Sequence, residues 1–146
     1  MVGSVYFFQI WALTDGGGLI PAPLPGDNRD IIMKQKLEKC WEQDIVTVVP
    51  TGNGGQNEDY LDLNTPQRLG MPDNGLITVG GVTPDGVLYP GTTLERGLGG
   101  SITVYAGSES VVMASYTSDT GTDTDTGTSF AAPAVVSGAY TALHLC

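Results

Sequence analysis

The chain has 146 residues, enough for one domain with a hydrophobic core, and 40% of them are hydrophobic. Its formal net charge is −10, from 16 acidic and 6 basic side chains. That balance argues against nucleic acids and anionic membranes as partners, because both are bound mainly through lysine and arginine.

Signals for targeting and for metal or disulfide chemistry are sparse. Residues 1–13 are apolar but lack the basic start and the small-residue cleavage site of a signal peptide, so no export signal is predicted. No apolar run is long and uninterrupted enough to cross a bilayer. Whether Cys40 and Cys146 pair is left open, and with one histidine they do not indicate a zinc site.

The first part of the chain alternates strand-like and helix-like segments. Residues 4–13 are rich in β-branched and aromatic side chains and are predicted to form a buried strand. A proline-rich loop over 21–30 leads to a predicted helix over 31–43, with Asp30 as its expected N-cap. The apolar run 45–49 follows as a second buried strand. A helix followed by such a strand is half of a βαβ unit and predicts a parallel sheet.

The second part of the chain contains further short strands. They are predicted over 76–79, 102–105 and 111–114, and polar turns rich in glycine and proline separate them. No repeat or linker divides the sequence. The whole of 1–146 is therefore predicted to be one α/β domain, with a mostly parallel sheet flanked by helices.

An acidic segment at 118–126 alternates threonine, aspartate and glycine and is predicted to be a solvated loop. An alternative is a calcium site, because carboxylate and carbonyl oxygens are the usual ligands of Ca²⁺. The spacing does not complete an EF-hand pattern. The candidate ligands are Asp119, Asp123 and Asp125.

The most informative stretch lies near the C-terminus, where small polar residues give way to a long apolar segment. The spacing of the apolar residues over 130–146 predicts a buried helix that starts at Ser129. A serine there is commonly a simple N-cap. Two neighbours favour a chemical role: Gly127 allows another group to approach the backbone, and Pro133 removes a hydrogen bond from the first turns. A nucleophile at a helix N-terminus also gains from the helix dipole.

A second polar feature follows the strand at 45–49. The sequence Gly52-Asn53-Gly54 is good turn chemistry, and a turn is its simplest interpretation. Ligands of open α/β sheets, however, bind beyond the carboxyl ends of the strands. An asparagine amide at that edge is a fixed donor that can stabilise an oxyanion.

These two stretches resemble one enzyme family. Gly127-Thr128-Ser129-Phe130-Ala131-Ala132-Pro133 is similar to the serine motif of the subtilisin-like serine proteases, the subtilases, although Ala134 replaces a non-catalytic histidine that usually follows the proline. Gly52-Asn53 is similar to the Ala-Gly-Asn segment of the same family, with Thr51 in place of the alanine. The resemblance covers about 36–145 and implies a partial subtilisin-like domain with a three-layer αβα fold.

The resemblance also implies an activity and its residues. It implies a serine endopeptidase that acts on polypeptides through an acyl-enzyme, with Ser129 as the nucleophile and Asn53 as the oxyanion-hole donor. The residues that support the two motifs are Gly127, Thr128, Pro133 and Gly52. No cofactor is predicted apart from the calcium alternative given above. Members of the family are often secreted, so an extracellular location is expected for a longer parent protein.

The aspartate and the histidine of the catalytic triad have no counterpart in the chain. Subtilases place them before the serine, but the single histidine, His144, follows it. On one helix, the fifteen residues between Ser129 and His144 correspond to roughly 22 Å, too far for a general base. Asp119-Thr120-Gly121 repeats the letters of the family's aspartate motif, but it lies in a loop ten residues before the serine and is not assigned that role.

Two hypotheses follow from this pattern. The first is a fragment of a serine endopeptidase, inactive alone, whose partner is the missing N-terminal half of its own domain. The second is a non-catalytic subtilase-like module that binds peptides or other proteins. A third possibility, an acidic domain stabilised by calcium, depends only on the loop at 118–126.

Overall fold

The computed structural model describes residues 5–7, 28–57, 59–71 and 74–145. Within these ranges there are two α-helices, α1 (Asn28–Glu42) and α2 (Thr128–Leu145). Short 3-10 helices lie between β2 and β3, at Gly55–Asn57, Leu61–Leu63 and Gln67–Leu69. The strands are β1 (Val5–Phe7), β2 (Val46–Pro50), β3 (Leu76–Val82), β4 (Val104–Gly107), β5 (Val111–Ala114) and β6 (Thr122–Asp125).

The first four strands form one parallel sheet in the order β1-β2-β3-β4. In its register Val48 lies opposite Ile77, and Val79 lies opposite Val104. Strands β5 and β6 form a separate antiparallel hairpin that leads directly into α2. The predicted α/β class with a mostly parallel sheet is confirmed.

The two faces of the sheet are covered by different helices, because successive side chains of a strand point to opposite faces. Val48 and Val79 pack against Ala131 and Ala132 of α2, and all four are at most 1% exposed. On the other face, Val49 and Leu76 pack against Leu37 of α1. Burying each such valine or leucine stabilises the fold by about 1.5–3 kcal/mol. The described residues therefore form three layers, helix on sheet on helix.

The small residues at the start of α2 explain how it reaches the sheet. Ala131 and Ala132 are both 0% exposed, and their short side chains let the helix lie close to all four parallel strands. This packing holds the first turn of α2 at the carboxyl-terminal edge of the sheet. Among the described residues, no helix combines the length and the apolar composition that a bilayer crossing needs.

Several predicted boundaries were wrong for identifiable reasons. Helix α1 begins at Asn28, so Asp30 lies inside the first turn and is not the N-cap. Strand β3 continues through Gly80 and Gly81, because their backbones still pair with Tyr105 and Ala106 of β4. Most of the predicted strand at 4–13 and loop at 21–30 lies outside the described residues.

The acidic segment at 118–126 is only partly a loop. Residues Thr122–Asp125 form strand β6, and Asp123 lies opposite Met113 of β5. This strand has no apolar side chain, so hydrophobic patterning did not reveal it. The predicted solvated loop is therefore restricted to the turn that joins the two strands.

Candidate active site

The loop that follows β2 turns the chain at the carboxyl end of the sheet. Thr51 extends the strand pairing by one residue, since its backbone N–H donates to the carbonyl of Val79 at 2.9 Å. Gly52 then adopts a φ of 103°, a conformation in which a β-carbon is strained. The reversal presents Asn53 at the edge of the sheet, with an exposed side chain.

The start of α2 reaches the same edge from the β5–β6 hairpin. The backbone N–H of Gly127 donates to the carbonyl of Ser108 at 2.7 Å, and that of Phe130 donates to the carbonyl of Gly127 at 3.0 Å. Helix α2 begins at Thr128, one residue earlier than the sequence predicted. Ser129 thus lies in the first helical turn, where backbone N–H groups have no partner inside the helix.

Thr128 joins the two segments. Its backbone N–H and its hydroxyl both donate to Oδ1 of Asn53, at 2.8 and 3.0 Å. The same hydroxyl accepts a hydrogen bond from the backbone N–H of Gly52 at 3.2 Å. Thr128 is 0% exposed, so both of its donors lie inside the fold although Asn53 itself is exposed. Residues 75 positions apart in the sequence are therefore held in direct contact.

These bonds also fix which end of the Asn53 amide faces the helix. A backbone N–H can only donate, so the atom 2.8 Å from it must be the amide oxygen. The nitrogen Nδ2 then points elsewhere, and no hydrogen bond between described residues uses it. Nδ2 lies beside Gly127, where a β-carbon would come within 3.1 Å of it. The close backbone approach expected at Gly127 is the approach of this amide.

Ser129 is half-buried, so its side chain is not sealed inside the core. The backbone N–H groups on either side of it are occupied, that of Thr128 by Asn53 and that of Phe130 by Gly127. The N–H of Ser129 makes no hydrogen bond to another described residue. Two hydrogen-bond donors therefore lack an acceptor among the described residues: Asn53 Nδ2 and the N–H of Ser129. They belong to two segments that are in contact at the N-terminus of α2. Such an arrangement favours a negatively charged oxygen.

The other predicted residues of the serine motif lie along α2. Pro133 is inside the helix and exposed, and Ala134 beside it is also exposed. Because proline has no N–H, the carbonyl of Ser129 lacks its usual donor four residues later. Ala134 faces solvent, so the departure from the family pattern at this position does not disturb the helix–sheet contact.

No general base for Ser129 is found on α2. The helix continues from Thr128 to Leu145, so the helix positions of Ser129 and His144 are separated by roughly 22 Å. Asp119 lies between β5 and β6, ahead of the strand that leads to the helix. His144, the single histidine of the sequence, is therefore too far along the helix to act as the base for Ser129.

The predicted calcium ligands do not form a cluster. Within the described ranges, no group of three or more histidine, cysteine, aspartate or glutamate side chains is placed to hold a metal ion. Asp125 accepts a hydrogen bond from the backbone of Thr126 at 2.7 Å. Cys40 is a free cysteine, and Cys146 lies outside the described residues. The calcium alternative remains a prediction from sequence.

An ion pair between Asp62 and Arg96 joins two segments of the chain that follow the Asn53 turn. Arg96 donates from Nε and Nη2 to the two carboxylate oxygens of Asp62, at 2.9 and 2.8 Å. Its guanidinium also lies over the ring of Tyr60, 4.6 Å from the centroid. The hydrogen bond from Arg96 holds the pKa of Asp62 below its ordinary value of 3.8 and raises that of Arg96. No sequence pattern links positions 62 and 96, so this pair could not be predicted from the sequence.

With this geometry in place, comparison with known proteins decides the family. The sequence model of the subtilase family matches residues 23–144, most of the chain. The chain belongs to the subtilase family. This confirms the resemblance to that family noted from the sequence. No curated protein sequence matches the chain.

Solved subtilase structures resemble the chain in fold. The patellamide maturation protease PatG aligns with a TM-score of 0.56 and 26% identity, over 74% of this chain and 31% of PatG. A PatG macrocyclase in complex with peptide gives 0.60 and 25%, over 82% and 32% of the two chains. The prenylagaramide maturation protease PagA gives 0.56 and 24%, over 73% and 34%. The subtilase described here spans about a third of the length of these structures.

Proposed function

We propose that this subtilase chain provides the nucleophile and the oxyanion hole of a serine endopeptidase. Ser129 Oγ attacks the carbonyl carbon of a peptide bond and loses its proton to a base. The carbonyl oxygen becomes negative and accepts hydrogen bonds from Asn53 Nδ2 and the N–H of Ser129. The amine then leaves with a proton, and water hydrolyses the acyl-enzyme on Ser129.

One observation carries this proposal: Thr128, the residue before the serine, holds Oδ1 of Asn53 with two hydrogen bonds. An amide held by its oxygen is fixed before the reaction begins, and its N–H groups need no reorganisation when charge develops. Ser129 is half-buried and Asn53 is exposed, so neither residue is sealed off from a substrate. The family match independently favours a serine peptidase.

The base must come from residues other than those on α2. A general base has to lie within about 2.6–3.2 Å of the serine oxygen, and His144 is too distant along the helix. We propose that a polypeptide equivalent to the N-terminal half of the domain supplies the aspartate and the histidine. Alone, the chain is expected to retain only the catalysis of its oxyanion hole and binding, about 10³–10⁴ over water by analogy with subtilisin lacking triad members.

The proposed substrate is a polypeptide. The PatG macrocyclase was solved in complex with peptide, and the same class of ligand is proposed for this chain. An acyl-enzyme reacts with whichever nucleophile reaches it, so water gives hydrolysis and a peptide amine gives a new amide bond. Once the chain is combined with a polypeptide that supplies the aspartate and the histidine, mass spectrometry of the products would distinguish hydrolysis from formation of a new amide bond.

The direct test is labelling with a fluorophosphonate, which traps an activated serine as a covalent adduct. The chain should be labelled slowly, and imidazole added as a diffusible base should accelerate the reaction. Peptide mapping should place the adduct on Ser129. Ser129→Ala should abolish it, and Ser137→Ala, which removes an exposed hydroxyl of the same helix, should leave it unchanged.

Each alternative outcome has a distinct meaning. Rapid labelling without imidazole would show that the chain contains its own base and would refute the fragment hypothesis. Labelling spread over several hydroxyls, with no preference for Ser129, would refute the peptidase role. If peptides then bound the chain without any reaction, the non-catalytic interaction module would be favoured.

A further inference from the structure

The loop that carries Asn53 is also held by a second segment, at Thr92 and Thr93. The backbone N–H of Gly54 donates to Oγ1 of Thr93 at 3.0 Å. The backbone N–H of Thr93 donates to the carbonyl of Gly52 at 3.1 Å. Thr93 therefore binds both the residue before Asn53 and the residue after it.

This second segment is itself anchored to the sheet. Thr92 and Thr93 are 1% and 0% exposed. The hydroxyl of Thr92 exchanges hydrogen bonds with the backbone of Gly81 in β3, accepting at 3.1 Å and donating at 3.2 Å. Gly55 packs so tightly here that a β-carbon would overlap the carbonyl oxygen of Thr92. The anchor is thus rigid, buried and continuous with the sheet.

We propose that Thr93 is a positioning residue for the oxyanion amide of Asn53, an inference that rests on the proposed function. Thr128 fixes the orientation of the Asn53 side chain, and Thr93 fixes the backbone on both sides of it. The amide stabilises the transition state fully only when both its side-chain orientation and its backbone are fixed, because misplacement by a fraction of an ångström weakens the hydrogen bond to the oxyanion. The hydroxyl of Thr93 is the essential group, since it is the acceptor for Gly54.

Hydrogen exchange tests the contact itself, with or without activity. In Thr93→Val, the Gly54 amide should exchange about fivefold faster or more, because its acceptor is lost. The Gly55 amide is an internal control, since it donates to the backbone carbonyl of Gly91 at 3.1 Å and should be unaffected. Thr93→Ser should restore the protection of Gly54. Unchanged exchange at Gly54 in Thr93→Val would overturn the inference.

Fluorophosphonate labelling in imidazole tests the consequence for catalysis. Thr93→Val should slow labelling of Ser129 about tenfold, as expected for a displaced donor that is not removed. Thr93→Ser should label at nearly the original rate. In an Asn53→Ala background, Thr93→Val should add no further slowing, because the amide that it positions is already absent.

The outcomes separate this inference from the proposed function. Equal slowing by Thr93→Val in both backgrounds would show a merely structural role and overturn the inference. An unchanged rate in Thr93→Val together with slowing in Asn53→Ala would do the same, while leaving the proposed function intact. No effect of Asn53→Ala would refute the oxyanion assignment itself. If Thr93→Val does not fold, Thr93→Cys, which keeps the size and weakens the acceptor, should show the same pattern.

Discussion

The amide oxygen of Asn53 accepts two hydrogen bonds from Thr128, one from its backbone at 2.8 Å and one from its hydroxyl at 3.0 Å. The hydroxyl also accepts a hydrogen bond from the backbone N–H of Gly52, so three hydrogen bonds join the two segments. This contact makes the N-terminus of α2 and the end of β2 one unit. It depends on the packing of α2 across the sheet, since both segments are carried by the elements that form the core.

The first prediction concerns the donor itself. Asn53→Asp keeps the shape of the side chain and both hydrogen bonds from Thr128, but it replaces the N–H₂ group with a negative oxygen. Labelling of Ser129 in imidazole should fall at least as far as in Asn53→Ala, by about 10²–10³, the loss found for the oxyanion-hole asparagine of subtilisin. Melting temperature serves as the control and should change little. Labelling at the original rate would show that the amide is not a donor in the reaction.

The second prediction concerns the residue that holds the amide. Thr128→Val removes one of the two bonds to Asn53 and leaves the backbone N–H of Gly52 without an acceptor. The free energy of unfolding should fall by about 1–3 kcal/mol, and labelling of Ser129 should slow about tenfold. Thr128→Ser retains the hydroxyl and should behave like the parent chain in both measurements. Unchanged stability and labelling in Thr128→Val would show that the hydroxyl is not needed to hold Asn53.

A third prediction uses two glycines. Gly127→Ala places a β-carbon 3.1 Å from Nδ2 of Asn53, tighter than an ordinary contact, so the amide must shift by a few tenths of an ångström. Labelling of Ser129 should slow about tenfold with little change in melting temperature. Gly138→Ala is the matched control, because its β-carbon would meet nothing within 4 Å and should stabilise the helix by about 1 kcal/mol. Equal labelling rates in the two variants would contradict the close approach at Gly127.

The sequence predicted the elements whose stability comes from apolar residues. Strands β2 and β3 and helix α2 bury apolar side chains, and their positions were predicted to within a few residues. Helix α2 is not buried all round as predicted, because Pro133, Ala134 and Ser137 are exposed. Strand β6 was missed, because Thr122–Asp125 has no apolar side chain and forms only by pairing with β5. Glycine in β3 also misled the prediction, since backbone pairing continues where the side-chain signal ends.

The contacts around the candidate site were harder to predict from the sequence. Ser129 and Asn53 were both predicted as site residues, because each belongs to a motif of consecutive residues. The contact through Thr128 joins positions 75 apart, and it exists only because α2 packs across the whole sheet. Thr93 gave no signal, since a buried threonine whose hydroxyl binds a distant backbone N–H looks like any loop residue.

The fourth prediction concerns a buried hydroxyl without a partner. Thr78 lies in β3, is 0% exposed, and its Oγ1 has no hydrogen bond within the described part of the chain. Thr78→Val keeps the β-branched shape and removes the cost of burying that oxygen, so the chain should be stabilised by about 1–3 kcal/mol. Thr92→Val is the control and should destabilise the chain, because it removes the hydroxyl that binds the backbone of Gly81. Thermal melting of both variants measures the contrast, and destabilisation by Thr78→Val would mean that Oγ1 has a partner.

The last prediction follows from the ion pair between Asp62 and Arg96. Since the hydrogen bond from Arg96 holds the pKa of Asp62 below 3.8 in the fold, the folded state binds the proton more weakly than the unfolded state. The stabilisation is therefore present above about pH 4 and is lost as the pH falls through the lower pKa of the folded state. Asp62→Asn should lower the melting temperature at neutral pH, and the gap to the parent chain should close progressively below about pH 4.

Salt and a control variant make this pH test specific. Arg96 is 38% exposed, so added salt should narrow the gap at neutral pH by screening the pair. Asp85→Asn changes an exposed carboxylate in the turn after β3 and should give no comparable gap at any pH. A gap between Asp62→Asn and the parent that stayed constant from neutral to acidic pH would show that Asp62 stabilises these loops by its shape and not by its charge.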